Sequence, residues 1–223
     1  ENLIVIDGDL DDKGWENAST TDYFLEFQPR DNVKPSEHTE VKVTYDKDNL
    51  YVSFKAYADP KDIRASFKKR DQAWMDDFVA IVLDTYGYAN SAVMIGSNPY
   101  GIQMDALNQG DHEDESFDII YESKGKITDE GYQVEMAIPF SSLSFPKTDI
   151  QEWKVNFYRS LPRGTRAQIV WGGFDRSNPC WICQFGTLKG IQGIEQKGSF
   201  EFLPTLMGSQ ASELDENGTL KNG

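Results

Sequence analysis

Residues 71–105, DQAWMDDFVAIVLDTYGYANSAVMIGSNPYGIQMD, decide the fold. Inside this stretch Phe78, Ala80 and Val82 alternate with Val79, Ile81 and Leu83, so both faces of Phe78–Leu83 are apolar. A strand of that kind sits in the middle of a layered structure, covered on both sides. A second apolar run, Val93–Ser97 within SAVMIGS, follows across a polar turn containing Gly87, and the turn signal NPYG comes next. Trp74 stands just ahead of the first run with Asp76 and Asp77 beside it. The expectation is a central strand pair with an aromatic at its mouth.

The same alternation recurs on either side. Val41–Asp46 and Leu50–Ala58 form the clearest hairpin, with DKDN supplying its turn. Further strands are expected at Leu3–Asp7, Thr20–Phe27, Gly101–Leu107, Phe117–Glu122, Tyr132–Ile138, around Trp153, Val155 and Phe157, and at Ile169–Trp171, Phe185–Leu188 and Ser199–Leu206. Trp15 reads as a core anchor, and Pro139 opens a short helical turn. Asp59–Arg70, with Ile63 and Phe67 at helical spacing, predicts one or two turns of helix. The acidic segment Gly110–Ser116 reads as a solvated loop. The polar end, ASELDENGTLKNG, either closes a hairpin at its NG pair or trails as a tail. Short strands about every ten residues, with no long helix, predict an all-β, jelly-roll or immunoglobulin-like sandwich of two antiparallel sheets and about ten strands.

Composition narrows the function. A formal charge of −15 in 223 residues argues against nucleic acid or an anionic membrane surface as partner. The same acidity suits calcium, which takes carboxylate and carbonyl oxygens. No apolar run reaches the length of a membrane-spanning helix. The opening ENLIVIDG reads as the start of a mature exported protein or of a trimmed chain. Cys180 and Cys183 read equally as two reduced thiols or as a short-range disulfide. No catalytic role is expected: no carboxylate pair stands out for glycoside hydrolysis. His38 and His112 lie in charged segments without a nucleophile partner.

Seven phrases in order, IDGDLDDKGW, TYDKDNLYVSFKAYADP, DDFVAIVLD, SNPYG, GYQVEMAIPFSSL, WKVNFYR and FGTL, resemble the family 9 carbohydrate-binding module. More closely they resemble its relative at the front of large bacterial outer-membrane proteins of an uncharacterised family. The resemblance spans roughly residues 3 to 190. It implies a non-catalytic module that holds a mono- or oligosaccharide between two tryptophans, here Trp74 and Trp181, with Asn98, Tyr158 and Arg159 as further contacts. It also implies structural calcium, for which Asp9 and Asp59 are the candidates. The chain departs from the family where an arginine is Gly96, a glutamate is Ala80 and an amide is Tyr158. Residues 1–195 are then the module, and residues 196–223, with FEFLPTLMGSQ, resemble the start of a following β-barrel. That context implies an exported protein, periplasmic or attached to the outer membrane. The alternative is a structural or gating domain docked on the barrel of its own longer chain; a lesser one is haem binding, known in the same fold clan.

Overall fold

The computed structural model describes residues 4–110, 112–195, 212–214 and 220–222. The strands, in chain order, are β1 (Ser19–Thr21), β2 (Phe24–Gln28), β3 (Thr39–Tyr45), β4 (Asn49–Tyr57) and β5 (Phe78–Asp84). Then come β6 (Ser91–Ser97), β7 (Gln103–Gln109), β8 (His112–Asp114), β9 (Glu122–Thr128) and β10 (Gly131–Pro139). β11 (Ile150–Leu161), β12 (Ala167–Trp171) and β13 (Gly186–Gln192) complete two sheets. The five-stranded sheet runs β1-β3-β4-β10-β9, and the eight-stranded sheet runs β2-β12-β11-β5-β6-β7-β8, with β13 also paired to β11. All pairings are antiparallel. This is the expected all-β sandwich with three more strands than expected.

β5 lies between β11 and β6, and every one of its residues is buried. Its inner face, Val79, Ile81 and Leu83, joins Ile95 of β6 and Val155 and Phe157 of β11 in one core cluster. Val52, Phe54, Val134 and Met136 of the opposite sheet complete that cluster. Trp15 is buried as an anchor, its indole N–H donating to Glu135 at 2.8 Å. Glu135 also accepts the backbone N–H of Gly8 at 2.9 Å, which ties the amino-terminal turn to β10. Desolvation raises the Glu135 carboxyl above its ordinary range, against these hydrogen bonds.

Four expectations fail locally, each for a visible reason. Asp59–Arg70 contains no helix. Buried carboxylates take its backbone donors instead: Asp77 accepts from the Arg64 N–H at 2.7 Å and Asp76 from the Ser66 N–H at 2.9 Å. Ile4–Asp7 forms no strand, because its groups are spent on the turn, with the Val5 N–H donating to Asp12. Residues 117–121 are irregular: Arg70 and Asp105 bond the backbone of Ile119, and pairing resumes only at β9. The acidic segment is no mere loop, since β8 pairs with β7 there. The expected strand Ser199–Leu206 and the barrel-like FEFLPTLMGSQ lie outside the described residues. β14 (Ser212–Leu214) and β15 (Leu220–Asn222) pair as an antiparallel hairpin.

Candidate functional site

The outer face of the eight-stranded sheet is where the functional candidates gather. The outer face of β5 carries Phe78, Ala80 and Val82; beside it stand Asn156 and Tyr158 of β11 and Met94 of β6. A cleft of about 530 Å³ opens over this face, lined among others by Trp74, Tyr158, Val82, Met94, Phe174 and Trp181. Trp74 and Trp181, far apart in sequence, therefore border one cavity.

Aromatic rings form two walls. On one side Trp74 meets Phe78 edge-on, centroids 5.6 Å apart, and Phe78 stacks on Tyr158 at 5.4 Å. On the other side Trp181 packs against Phe185 at 4.9 Å and Phe174 at 6.4 Å, and Phe174 meets Phe27 at 5.5 Å. Edge-to-face and offset contacts of this kind hold rings in fixed orientations. Val82, Met94 and Val170 make an apolar floor between the walls.

Each wall is braced from behind. Asp76 accepts hydrogen bonds from Ser66, Lys68 and Asn98, and Asp77 takes a two-nitrogen clamp from Arg163 at 2.7 and 3.0 Å. These bonds fix the chain just after Trp74. Asn32 donates to the Phe174 carbonyl and accepts from its N–H at 2.8 Å, so Phe174 is gripped through its backbone. Cys180 and Cys183 are bridged, closing a short loop around Trp181.

Three residues that line the cleft each carry a fully buried polar atom without a hydrogen-bond partner: the indole Nε1 of Trp74, Nδ2 of Asn108 and Oδ1 of Asn156. Asn156 is fixed in its orientation, because its Nδ2 donates to the Trp171 carbonyl at 3.0 Å. Burial and the charge of Glu113 push the Tyr158 phenol above its ordinary range, partly offset by Arg166. Desolvation first, then the charge of Glu115, raises the Glu113 carboxyl.

The remaining sequence candidates separate from the cleft. Asn98 is fully buried beneath Trp74's loop; its amide donates to Asp76 and the Ser66 carbonyl and accepts from the N–H groups of Tyr100 and Ile102. It is a brace and presents nothing to the cleft. Arg159 faces the other way, into the sandwich, where its terminal nitrogens bond the His38 and Tyr57 carbonyls, Thr39 and Glu37 at 2.7–2.9 Å. Alternation along β11 puts Tyr158 outside and Arg159 inside, so neighbours in sequence cannot both reach a ligand. Nothing in the sequence singles out Asn108 and Asn156, because an amide within a strand looks the same facing solvent, core or ligand.

The calcium candidates are engaged otherwise. Asp9 is paired with Lys126 at 2.5 and 2.7 Å, and Asp59 accepts the Lys61 N–H two residues on. The Asp9 carboxylate is thus committed to an ion pair and that of Asp59 to its own turn. Among the described residues one close group of three carboxylates occurs, Asp71, Asp105 and Asp118, and Arg70 pairs with all three. His112, expected in a loop, stands on β8 and lines the cleft along with Met94.

A family profile described as carbohydrate family 9 binding domain-like matches residues 6–158. Among solved structures, a putative carbohydrate-binding protein from Bacteroides uniformis ATCC 8492 is 15% identical, with a TM-score of 0.62 over 80% of this chain and 87% of that one. A family 9 module from Caldicellulosiruptor kristjanssonii in complex with cellotriose is 19% identical, with a TM-score of 0.57 over 92% of this chain and 95% of that one. The same module in complex with glucose gives 19% identity and a TM-score of 0.57 over 91% and 95%. At these identities the structures establish the shared fold. No curated protein sequence matches.

Proposed function

The chain belongs to the carbohydrate family 9 binding domain-like family, and from that premise we propose that it is a non-catalytic module that binds a saccharide in the cleft between Trp74 and Trp181. One observation carries this reading: the two tryptophans border a single cavity whose lining mixes apolar side chains with polar ones, Asn108, Glu113 and Gln168 among them. Sugar rings offer apolar C–H faces to aromatic walls and hydroxyls to polar atoms at the edges. A hydroxyl both donates and accepts, so it suits the amide, carboxylate and guanidinium side chains of the lining alike. The family's polar positions at Ala80 and Gly96 are bare here: Gly96 pairs with Ala80, and a Cβ on it would lie 3.0 Å from the Val79 carbonyl oxygen. Recognition therefore rests on the aromatic walls and on the other polar side chains of the lining, Glu113, Arg166 and Gln168 among them.

Titration with mono- and oligosaccharides, followed by tryptophan fluorescence, tests the proposal. A saturable change is expected at up to millimolar sugar, and a flat signal across the panel sinks it. The exported setting belongs to the same proposal and is supported by the Cys180–Cys183 disulfide, since such bonds persist in oxidising compartments. Haem has one observation in its favour, that His112 and Met94 both line the cleft. Against it, a porphyrin face offers nothing to the unpartnered amides, and a colourless protein after reconstitution dismisses it.

A further inference from the structure

One arginine at the cleft is left without an acid. Residues 162–166 lead into β12, and Arg163 ties them to the Trp74 segment through its two-nitrogen clamp on Asp77. Three residues on, Arg166 lines the cleft beside that wall, its Nη2 donating to the Met75 sulfur at 3.3 Å. Among the described residues no carboxylate forms an ion pair with Arg166, whereas Arg30, Arg70, Arg159 and Arg163 are each paired. The other arginines without an acid, Arg64 and Arg176, are exposed, and water serves them; Arg166 is half-buried. The chain has 37 acidic residues against 22 lysines and arginines, so acids are not scarce. Withdrawing a guanidinium from water without an anion beside it is unfavourable. Arg166 is also the one lysine or arginine among the described residues that line the cleft.

A guanidinium is always charged, and its planar fork of donors matches a carboxylate through two parallel hydrogen bonds. Thioether sulfur is a weak acceptor and Met75 is 72% exposed, so an incoming carboxylate displaces that contact readily. Trp74 is the residue before Met75, so a pyranose ring laid on the indole directs an exocyclic group at Arg166. The acids of the lining, Glu113 and Glu115, act in the opposite sense. The Tyr158 phenol feels Arg166 and Glu113 alike, so opposite charges bear on the middle of the cleft. A ligand carboxylate is drawn to the arginine and repelled by the glutamates, which fixes its direction. The glutamates are left to accept from hydroxyls.

Resting on the saccharide-binding reading above, we infer that the sugar is acidic, a uronic acid whose ring lies on the Trp74 wall and whose carboxylate is held by Arg166. Calorimetric titration of the full chain at neutral pH compares sugars that differ only at the sixth carbon. Glucose is set beside glucuronate and galactose beside galacturonate, the second pair also as trimers, and glucosamine adds a cationic ring. In a pair that binds, the uronate is expected to bind at least about tenfold tighter, the value of one hydrogen bond to a charged group. That ratio should shrink as salt is raised, because the cleft is open to solvent ions. Arg166→Gln is expected to bring the ratio close to one, and Arg166→Lys, which keeps the charge without the fork, to leave it in between. Thermal melts check that each variant folds, and the ratio in the unaltered chain stands without them. A uronate no tighter than its neutral parent, or a preference that survives Arg166→Gln, overturns the inference and leaves saccharide binding intact. Glucosamine as the tightest ligand overturns it too, since Glu113 and Glu115 would then set the class. No response from any sugar, acidic or neutral, overturns the proposed function, and this inference with it.

Discussion

The two faces of the β5–β11 ladder are built from the same strands and put to different ends. Inward, Val79, Ile81 and Leu83 meet Val155 and Phe157 in the core, and even the buried guanidinium of Arg159 has four oxygen partners. Outward, Phe78 and Tyr158 are aromatic, Asn156 keeps an unpaired oxygen, and the rings leave a cleft open. Unpartnered buried atoms occur elsewhere too, among them Tyr132 Oη and the Nε atoms of Arg159 and Arg163. Period-two alternation lets one strand serve stability on one side and recognition on the other. The difference makes substitution effects separable.

The largest effect is expected on the inner face. Phe157 packs against Phe54 and Trp171, and Phe157→Ala is expected to cost about 3–5 kcal/mol of stability. Urea unfolding measures it, and a loss under about 1 kcal/mol would mean that the core repacks freely. Across the sheet, Trp74→Ala is expected to reverse the pattern. Its ring touches Phe78 at the rim, so stability should fall by less than about 1 kcal/mol, while saccharide affinity falls by about 2 kcal/mol, the usual loss for an aromatic anchor. Equal losses in folding and binding would erase the distinction between the faces.

The tryptophans sharpen the comparison further. The indole N–H groups of Trp15 and Trp153 donate to Glu135 and Gln151 at 2.8 and 3.1 Å, and that of Trp74 donates to nothing. Trp15→Phe removes one donor from the buried Glu135 carboxylate and is expected to cost about 1–3 kcal/mol, read from denaturant midpoints. Trp74→Phe should leave the midpoint unchanged and lower affinity. A stability loss from Trp74→Phe as large as that from Trp15→Phe would mean that the Trp74 N–H has a structural partner after all.

How far these features were legible in the sequence follows from the same alternation. Phe78–Leu83 and the Val41–Ala58 hairpin declare themselves, because two-sided and one-sided apolar patterns depend on the strand alone. Trp74 and Trp181 were found through the family pattern, and both border the cleft. Asn98 and Arg159 have the right chemistry, yet one braces a turn and the other crosses the sandwich. Their roles depend on partners distant in sequence, Ser66, Asp76, Glu37 and Tyr57, that no local pattern reveals. Asp59–Arg70 shows the same limit: Ile63 and Phe67 have helical spacing, but Asp76 and Asp77 capture the backbone donors a helix would need.

The smallest effect is a slope with pH, and it belongs to the inner face. Asp105 sits on β7 opposite Ile95, fully buried, accepting from Arg70 at 2.5 Å and from the Ile119 N–H at 2.6 Å. Desolvation outweighs both bonds and raises its carboxyl to about 6. The unfolded chain titrates this group near 3.9, so the fold favours the protonated acid. Its contribution to stability is therefore complete below about pH 4 and is lost as pH rises through about 6, by no more than about 1.4 kcal/mol per pH unit. Asp105→Asn imitates the neutral acid and should remove that slope, so the variant loses less, relative to the parent, at pH 7.5 than at pH 4.5. Urea midpoints at both pH values decide it. A penalty that grows with pH would show that pairing with Arg70 outweighs desolvation, and that the inner face holds its charges as charges.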